Sequence, residues 1–470
     1  MATLLPEEKK RLTMSNLTDV DETSSRSVGA TPPSSSSDWP GSVTNETSYW
    51  RGLAIRETSA MTNATVDPED VGLSTSRLTR ITDHVHGYVD EGKFVGTDVL
   101  IARAGKIAYR DTYGLADREA GSVLAEDNIF RFFSMSKPVT SIALMQLYEQ
   151  GKFLLRDPIE RYIPSFRNMS VFVSGSVNRP NLRPAASPIT VHNVLTHMSG
   201  LTYGFQMANP VDALYRNSPI EGVGRNDMST AEVMEHLGDL PLLCDPGTEW
   251  NYSMSTDVVG HLVEVISGQP LDEYLDDHIF GPLGMVDSGF SVRQGQEHRL
   301  VANYACGPDS EEAVLLESPT KSRYLEPPKF FSGGGGLVST MADYHRFASA
   351  LMGGGEFGGA RVIGRKTLAF MTSNHLPDGR DLVASGTPLF SETPYEGVGF
   401  GLGFSVQLDP AITQVIGSPG EFGWGGAAST VFFCDPVEDI HVIFLTQLMP
   451  SSRFPIRPQL KALVYQALID

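Results

Sequence analysis

The sequence predicts an α/β (α+β) fold: one α/β domain that both ends of the chain complete, with a second, mostly helical lobe over it. Two observations predict this fold. Hairpin-type strand pairs occur near both ends of the body of the chain, and the long segment between them contains short helical patterns separated by Pro- and Gly-rich loops. Sheets and helices bury their apolar faces in layers, so this order indicates two lobes with a small-molecule cleft between them.

The N-terminal part of the body predicts a helix, a hairpin and a second helix. In residues 74–94 a Ser/Thr cap precedes apolar residues at helical spacing. These apolar residues are Leu78, Ile81, Val85 and Val89. Two strand-type runs then flank Ala104-Gly105, which is a hairpin signal. A helix over 135–150 follows, and Gly151 is its expected C′ residue.

The rest of the chain predicts helices first and strands later. Residues 166–330 contain short helical stretches such as TVHNVLTHM and TDVVGHLVEVISG. Strand-type runs then cover 398–408, 427–435 and 439–447. The chain ends in the helical pattern RPQLKALVYQALID, which we expect to pack against the sheet as a terminal helix.

The chain divides into three predicted regions. Residues 1–60, which include TPPSSSSDWPGSVTNETS, are rich in Ser, Thr and Pro without an apolar period, a composition typical of a disordered or loosely ordered extension. Residues 61–165 and 331–470 are predicted to form the α/β domain. Residues 166–330 are predicted to form the helical domain.

The composition excludes several classes of function. The chain has 470 residues, 41% of them hydrophobic, and a formal net charge of −20 without any block of Lys or Arg. Nucleic acids and anionic membranes need basic patches, so we expect neither as a partner. No apolar run approaches the ~18–20 residues that span a bilayer, and the N-terminus lacks the apolar core of a signal peptide. Three widely spaced cysteines without metal-ligand spacing, Cys244, Cys306 and Cys434, favour a reducing, cytoplasmic compartment.

A serine and a lysine lie three residues apart where a helix is predicted to begin. In FRFFSMSKPVTSIALMQLYEQG, Ser134 and Lys137 share a helix face, so Oγ and Nζ can meet. A buried lysine can act as a base toward a hydroxyl, and the serine N–H belongs to a first turn whose unpaired donors attract negative charge. The alternative is a helix-capping serine beside a solvated lysine. The neighbouring Phe132 and Phe133 and the apolar helix favour a buried lysine.

Two further segments carry candidate residues. Tyr252 precedes a helical stretch, and a tyrosine there can share the role of base; the alternative is a half-buried tyrosine whose hydroxyl is hydrogen-bonded. In GEFGWGGAAST, Gly425 and Gly426 precede an apolar strand, and they let the backbone approach a ligand with an N–H as oxyanion donor. The alternative is a glycine-rich turn into an edge strand. The residues alone leave both alternatives open.

The order of these three elements resembles that of serine β-lactamase-like enzymes: Ser-x-x-Lys, then a tyrosine, then a glycine-rich strand. VLTHMSGLTYGF, YLDDHIFGPLGMVDSGF and GGGGLVSTMADYHRFASAL also look typical of that family. The body, roughly residues 65–465, is most similar to family VIII carboxylesterases. This resemblance implies the class C β-lactamase/penicillin-binding-protein-like fold, in which an antiparallel sheet is flanked by terminal helices and joined to a mostly helical lobe.

The resemblance also implies a role for each residue of the motifs. Ser134 would be the acylated nucleophile, Lys137 the base that activates it, and Tyr252 the residue that protonates the leaving alkoxide. Trp424-Gly425-Gly426 stands where class C β-lactamases have a Lys-Thr-Gly triad. The next residue, Ala427, would donate an oxyanion-hole N–H together with Ser134.

Two departures from the β-lactamase pattern bear on the substrate. The Tyr-x-Asn motif becomes Tyr252-Ser253-Met254, which removes an amide that can bind the acylamino group of a β-lactam. The lysine of Lys-Thr-Gly becomes Trp424, which removes a cation for the substrate carboxylate. We therefore expect Met254 and the Trp424 segment to bind an uncharged ester. The chain contains no Gly-x-Ser-x-Gly, so the nucleophile elbow of α/β-hydrolases has no support.

The sequence thus predicts a serine carboxylesterase that hydrolyses small, uncharged, short-acyl esters through an acyl-enzyme on Ser134, without a metal or other cofactor. Within enzymes the alternatives are an acyltransferase of the lovastatin-synthesis type and a weak β-lactamase or D-amino-acid peptidase. Outside enzymes the alternative is a silent scaffold on the same fold, against which the intact Ser134, Lys137 and Tyr252 set argues. The histidines lack metal-ligand spacing, and we expect His192 and His197 to be helix and turn residues. The expected partner is a small-molecule ester, and the oligomeric state stays open.

Overall fold

A computed structural model describes residues 66–220, 228–307, 309–386, 395–451 and 453–470 of the chain. The predicted N-terminal extension, 1–60, lies outside these residues. The α-helices of the described residues are α1 (Thr75–Asp90), α2 (Ser136–Glu149), α3 (Val191–Leu195), α4 (Pro210–Arg216), α5 (Thr230–Gly238), α6 (Ser255–Ser267), α7 (Leu271–Leu275), α8 (Gly281–Leu283), α9 (Met341–Met352), α10 (Arg365–Met371), α11 (Leu382–Ser385), α12 (Pro410–Thr413) and α13 (Ile456–Tyr465).

The strands of the described residues are β1 (Gly96–Arg103), β2 (Lys106–Asp117), β3 (Ser122–Val123), β4 (Phe130–Arg131), β5 (Ser170–Ser176), β6 (Arg179–Pro184), β7 (Asn303–Ala305), β8 (Val314–Glu317), β9 (Val338–Ser339), β10 (Glu356–Phe357), β11 (Ala360–Arg361), β12 (Val398–Phe400), β13 (Ser405–Gln407), β14 (Phe422–Gly425), β15 (Val431–Asp435), β16 (Ile440–Leu445) and β17 (Leu448–Met449).

The central sheet combines strands from both ends of the described chain. Across the described ranges it has eight strands in the order β12-β13-β14-β15-β16-β1-β2-β3. All neighbours in this order are antiparallel. The N-terminal and C-terminal halves meet where β1 pairs with β16, from Asp98 opposite Leu445 to Arg103 opposite Ile440. The predicted α/β fold with an antiparallel sheet and terminal helices is confirmed.

The two faces of the sheet are buried against different helices. Side chains alternate along β1, so Val99 and Ile101 join one core while Leu100 and Ala102 join the other. The first core contains apolar residues of the terminal helices α1 and α13. The second and larger core contains residues of α2, α6 and α9. Helix α2, which contains Lys137, therefore lies on the side of the sheet opposite to the terminal helices.

Two predicted turns have the geometry that their residues favour. The β1–β2 hairpin turns at Ala104 and Gly105, whose φ angles of +53° and +73° lie in the left-handed region that a two-residue type I′ turn requires. Helix α2 ends before Gly151, which has a φ of +71° and donates its N–H to Tyr148 O at 2.9 Å. The hairpin and the helix end are therefore confirmed.

The predicted strand-type run over 398–408 forms two short strands, β12 and β13. β12 and β13 pair with each other around a reversal at Gly403, whose φ is +93°. A Cβ atom at Gly403 would lie 2.2 Å from the Ser141 hydroxyl of α2. Glycine is therefore needed both for the backbone angle and for the close approach to the helix.

The segment 166–330, predicted as mostly helical, also contains paired strands. β5 pairs with β6, and β7 pairs with β8. β6 is exposed along its whole length and β5 is exposed from Val173 to Ser176, so most of the hairpin has no buried face. A strand without a buried face needs no alternation of apolar and polar residues, which explains why periodicity did not indicate this hairpin. The domain boundaries at 165 and 331 stay a prediction.

Candidate active site

Ser134 lies in a tight turn between a short strand and helix α2. Strand β4 pairs with β9, a 3₁₀ turn covers Phe133–Met135, and α2 begins at Ser136. Phe133 has a φ of +46°, which is rare for a residue with a side chain and marks local strain directly before the serine. The chain thus presents the Ser134 hydroxyl from a constrained turn at the N-terminal end of a buried helix.

Lys137 lies one helical turn after Ser134 and is 2% exposed. Its ammonium donates to Ser134 Oγ at 3.2 Å, to Tyr203 Oη at 3.2 Å and to Gly334 O at 2.7 Å. A lysine ammonium has three donors, so these three acceptors satisfy it. The lysine is therefore not a solvated surface charge, and it contacts the serine as the spacing predicts.

Tyr252 brings a second polar group to the same hydroxyl from a distant part of the chain. It precedes α6, is 6% exposed, and donates its phenolic O–H to Ser134 Oγ at 2.6 Å. The Lys137 ammonium lies 4.5 Å from the centroid of its ring. The structure therefore brings the three predicted catalytic side chains, Ser134, Lys137 and Tyr252, into one hydrogen-bonded cluster.

The predicted glycine-rich strand lies beside this cluster. Trp424, in β14, donates its indole N–H to Tyr252 Oη at 3.4 Å, and the two ring centroids are 5.6 Å apart. A Cβ atom at Gly426 would lie 2.5 Å from the carbonyl oxygen of Phe132, two residues before Ser134. Only a glycine can therefore let the end of β14 lie against the turn that holds the serine.

The turn after β14 is fixed by a cation of the C-terminal helix. Arg457 of α13 donates from Nη2 to Gly426 O at 2.9 Å and to Thr430 O at 3.0 Å. The Gly426 N–H donates to Thr430 O at 2.8 Å. Ala427, the predicted oxyanion donor, lies in this turn and is half-buried. Arg457 thus supports the turn from the side of the sheet opposite to Ser134. Its guanidinium also packs closely on Gly425, since a Cβ atom there would lie 2.6 Å from it.

Met254, unlike Ser134, Lys137 and Tyr252, is described by core packing and not by a hydrogen bond within the cluster. It is the N-cap residue of α6, its N–H donates to Thr202 O at 3.4 Å, and its side chain is 4% exposed within the larger core. The residue helps to pack the start of α6 close to Tyr252. Its role in substrate binding stays a prediction.

Tyr203 is a site residue that the sequence analysis did not identify. Its hydroxyl accepts from Lys137, and its ring centroid lies 5.4 Å from that of Tyr252. Burial, reinforced by the nearby Asp257 carboxyl, raises the pKa of Tyr203 well above its ordinary value, so this tyrosine is neutral at physiological pH. It lies in the family-like stretch VLTHMSGLTYGF, but no motif marks it as a neighbour of the lysine.

His197 lies behind Tyr252 as a buried, uncharged ring. It follows α3 with a φ of +56°, and its centroid is 5.0 Å from Tyr252 and 5.4 Å from Phe400. Burial, with the charge of Lys137 as a smaller cause, lowers the pKa of His197 well below its ordinary value. His192 lies in α3 and His197 in the turn after it, so the helix and turn prediction for these histidines is confirmed.

Other kinds of site have no support in the part of the chain that the structure describes. Within it, no group of three His, Cys, Asp or Glu side chains could hold a metal ion. Its helices are all too short or too polar to cross a bilayer. Cys244, Cys306 and Cys434 are each buried and outside any disulfide.

Comparisons with known proteins agree with the motifs. The family model described as "Beta-lactamase" matches residues 81–466. Protein Rv1367c of Mycobacterium tuberculosis (strain ATCC 25618 / H37Rv) is 34% identical over 366 residues, which cover 77% of this chain and 88% of that protein. Esterase EstB of Burkholderia gladioli is 31% identical over 404 residues, which cover 82% of this chain and 94% of the esterase.

A solved structure extends the likeness to three dimensions. EstCE1, a hydrolase with promiscuous acyltransferase activity, matches with a TM-score of 0.70 and 26% identity, over 83% of this chain and 99% of its own. The resemblance and the fold that the motifs predicted are therefore confirmed. From the family match over most of its length and from its relatives, this chain belongs to the β-lactamase family.

Proposed function

We propose that the protein is a serine carboxylesterase that hydrolyses small, uncharged, short-acyl esters through an acyl-enzyme on Ser134. The observation that carries this proposal is the pair of hydrogen bonds on the Ser134 hydroxyl, from Tyr252 at 2.6 Å and from Lys137 at 3.2 Å. A serine hydroxyl is a weak nucleophile until a neighbouring base takes its proton. Lys137 and Tyr252 are within hydrogen-bond reach of this hydroxyl, and either one serves as the base once it has lost its own proton.

In the acylation step the Lys137–Tyr252 pair holds one proton fewer, with Lys137 as the neutral amine or Tyr252 as the phenolate. Ser134 Oγ then attacks the ester carbonyl, and its proton passes to that group of the pair. The two groups contact the same hydroxyl and each other, so both are within reach of the proton that leaves Ser134. The same pair then donates a proton to the leaving alkoxide. Loss of the alcohol leaves the acyl group on Ser134.

The oxyanion of the tetrahedral intermediate would lie between the backbone N–H groups of Ser134 and Ala427. The Ser134 N–H belongs to the first turn of a 3₁₀ segment, where N–H groups have no partner within the helix. The contact of Gly426 with the Phe132 carbonyl supports a position of Ala427 close to the serine. Each such donor contributes about 3 kcal/mol to stabilisation of the transition state.

In the deacylation step, water enters in place of the alcohol and attacks the acyl-enzyme. The Lys137–Tyr252 pair takes the proton of this water, and Ser134 leaves as a hydroxyl with a proton from the pair. The two half-reactions use the same residues in opposite directions. The proposal therefore needs no metal or cofactor for any proton transfer.

The aromatic surroundings of the cluster support an uncharged ester as the substrate. Trp424 stands where a lysine would bind a substrate carboxylate, and its indole packs on Tyr252 and Phe400. An apolar ring at this position favours a neutral group over an anion. EstB is an esterase, which agrees with an ester substrate for this chain. The same reasoning disfavours β-lactams and D-amino-acid peptides, whose recognition uses a carboxylate.

Acyl transfer to an alcohol is the second candidate. The observation that favours it is the likeness to EstCE1, whose promiscuous activity is acyl transfer. An acyl-enzyme on Ser134 can be opened by an alcohol through the same Lys137–Tyr252 pair that activates water. The two functions therefore differ only in which acceptor reaches the acyl group.

A panel of p-nitrophenyl esters from acetate to laurate, with and without an added alcohol, separates the candidates. We expect the wild type to prefer the short esters and to release mostly free acid. Ser134→Ala should be inactive, while Ser141→Ala should keep its activity because this hydroxyl, on the same helix, has no hydrogen-bond partner among the described residues. More acyl transfer than hydrolysis would favour the second candidate, and full activity of Ser134→Ala would refute both.

We also propose that the protein acts in the cytoplasm on a small-molecule partner. The support is the set of buried, unpaired cysteines, which suits a reducing compartment. Fractionation of cells that express a tagged chain tests the location, and recovery from the extracellular medium or a membrane pellet would refute it.

A silent scaffold on the same fold predicts that a fluorophosphonate probe leaves Ser134 unlabelled.

A further inference from the structure

The glycine-rich segment Ser332–Gly336 runs between the helix that carries Lys137 and helix α6. A Cβ at Gly333 would lie 2.7 Å from the Thr140 side chain of α2 and 2.8 Å from the Thr256 carbonyl of α6. The Thr140 hydroxyl donates to Gly333 O at 2.8 Å. The segment is therefore held tightly between the two helices, and a side chain at Gly333 does not fit.

Both backbone polar groups of Gly334 form hydrogen bonds with ionisable side chains. Its carbonyl oxygen accepts from the Lys137 ammonium at 2.7 Å, the shortest of the three hydrogen bonds that Lys137 makes. Its N–H donates to Asp257 Oδ1 at 3.1 Å. Gly334 thus connects the lysine of the active site to a carboxyl group on α6.

Asp257 is a fully buried carboxyl group, with 0% exposure, in the first turn of α6. Its Oδ1 atom accepts from Gly334 N and from the Ser332 hydroxyl, the latter at 2.5 Å. Its Oδ2 atom is buried and has no hydrogen-bond partner among the described residues. Burial raises the pKa of Asp257, against the opposing effect of the Lys137 charge. Burial of a carboxyl group is unfavourable unless hydrogen bonds compensate it, and the compensating bonds of Asp257 come from Ser332 and Gly334 of the glycine segment.

We propose that Asp257 is a positioning residue for Lys137: it holds Gly334 in the orientation in which the Gly334 carbonyl accepts from the lysine ammonium. The carbonyl, in turn, keeps Nζ within reach of Ser134. A small displacement of a catalytic group lowers kcat strongly, by about 100-fold for a shift of about 1 Å. Because it concerns the base of the proposed esterase, this inference rests on the proposed function.

The chain offers a matched control for the loss of a buried carboxyl group. Asp343, in the first turn of α9, is 3% exposed, and its Oδ2 accepts from Asp287 N at 2.7 Å and from the Ser288 hydroxyl at 2.9 Å. Burial raises its pKa as it does that of Asp257. Like Asp257, Asp343 therefore accepts from one backbone N–H and one serine hydroxyl, but neither of these partners contacts Lys137.

The test compares Asp257→Ala, Asp257→Asn and Asp343→Ala in ester hydrolysis and in urea unfolding. We expect Asp257→Ala to lower kcat about 100-fold and to keep KM within about threefold of the wild-type value, because the substitution affects the reacting groups more than ground-state binding. Asp257→Asn keeps an oxygen acceptor for Gly334 and Ser332, so it should recover kcat to within about fivefold of wild type. Asp343→Ala should lose similar stability and keep its kcat. Equal kcat in the two Ala variants, or no recovery in Asp257→Asn, would overturn the inference.

Two further measurements keep the test decisive. Gly334→Ala places a Cβ 2.7 Å from Asp257 Oδ2, so it should lower kcat even if Asp257→Ala does not fold. A crystal structure of Asp257→Ala or Gly334→Ala needs no activity, and we expect the distance from Gly334 O to Lys137 Nζ to exceed its present 2.7 Å. If the distance between Gly334 O and Lys137 Nζ is unchanged, the positioning role of Asp257 is refuted, but the proposed function is not. A wild type without any esterase activity refutes the proposed function, whatever the crystals show.

Discussion

The Tyr252→Phe substitution removes one hydrogen bond from the Ser134 hydroxyl and leaves the ring in place. The side chain is 6% exposed, and its ring packs on Trp424 and His197, so a phenylalanine fits the same space. Two contacts are lost: the donor to Ser134 Oγ at 2.6 Å and the acceptor for the Trp424 indole N–H at 3.4 Å. The first concerns catalysis and the second concerns mainly stability.

The expected loss of activity follows from these contacts. A positioned general acid or base contributes about 10²–10⁴-fold to the rate, so we expect kcat to fall by about 10³-fold. At 1.36 kcal/mol per factor of ten, this loss corresponds to a barrier about 4 kcal/mol higher. KM should change by less than about threefold, because the hydroxyl contacts the nucleophile and not the bound ester. The unpaired indole N–H should lower the free energy of unfolding by about 1 kcal/mol.

Steady-state hydrolysis of p-nitrophenyl acetate and urea unfolding measure these two effects separately. Tyr274→Phe is the matched control, because Tyr274 is 2% exposed and its hydroxyl is buried without a hydrogen-bond partner among the described residues. We expect this control to keep both kcat and stability. If Tyr252→Phe lowers kcat by less than about tenfold, the assignment of Tyr252 to proton transfer is wrong.

Three other substitutions test neighbouring parts of the structure. Tyr203→Phe removes one of three acceptors of Lys137 and none of the contacts of Ser134, so kcat should fall only about 3–10-fold; a loss as large as that of Tyr252→Phe would contradict this ranking. Gly426→Ala places a Cβ 2.2 Å from Thr430 Oγ1 and 2.5 Å from Phe132 O, so kcat should fall about 100-fold, whereas Gly87→Ala, in open space, should not change it. Burial lowers the pKa of His345 to about 4, so the unfolded state binds more protons between pH 6.5 and 4. His345 alone should therefore contribute about 3 kcal/mol to the decrease in stability as the pH falls through this window, so His345→Gln should show a smaller decrease than the wild type in urea unfolding; equal slopes would refute this.

The sheet and its terminal helices could be predicted because their signals are local. Ala104-Gly105 marks the β1–β2 turn, and the apolar spacing of residues 74–94 marks α1. The strand-type run predicted over 398–408 contains strands, but its pattern did not show the reversal at Gly403, because the backbone angle and the close approach of Ser141 there are not part of any periodicity. The β5–β6 hairpin was missed because its strands are largely exposed and therefore show no alternation of apolar and polar residues.

The site shows the same division between local and distant contacts. Ser134 and Lys137 are a local pair, and the order of the motifs identified Tyr252 and Trp424. Tyr203 and Asp257 were missed, since they act on Lys137 only after folding brings four separate segments together. Asp257 reaches the lysine through the backbone of Gly334, and a contact with a backbone atom leaves no residue-type signature in the sequence.

The central claim is that Ser134 carries the acyl group during turnover. Mass spectrometry of the protein, quenched with acid while it hydrolyses p-nitrophenyl acetate, tests this claim most directly. We predict one added acetyl group on the peptide that contains Ser134, and no such adduct in Ser134→Ala, which should also lack the initial burst of p-nitrophenol. Acetylation of another residue, or ester hydrolysis by Ser134→Ala at the rate of the wild type, would contradict the account.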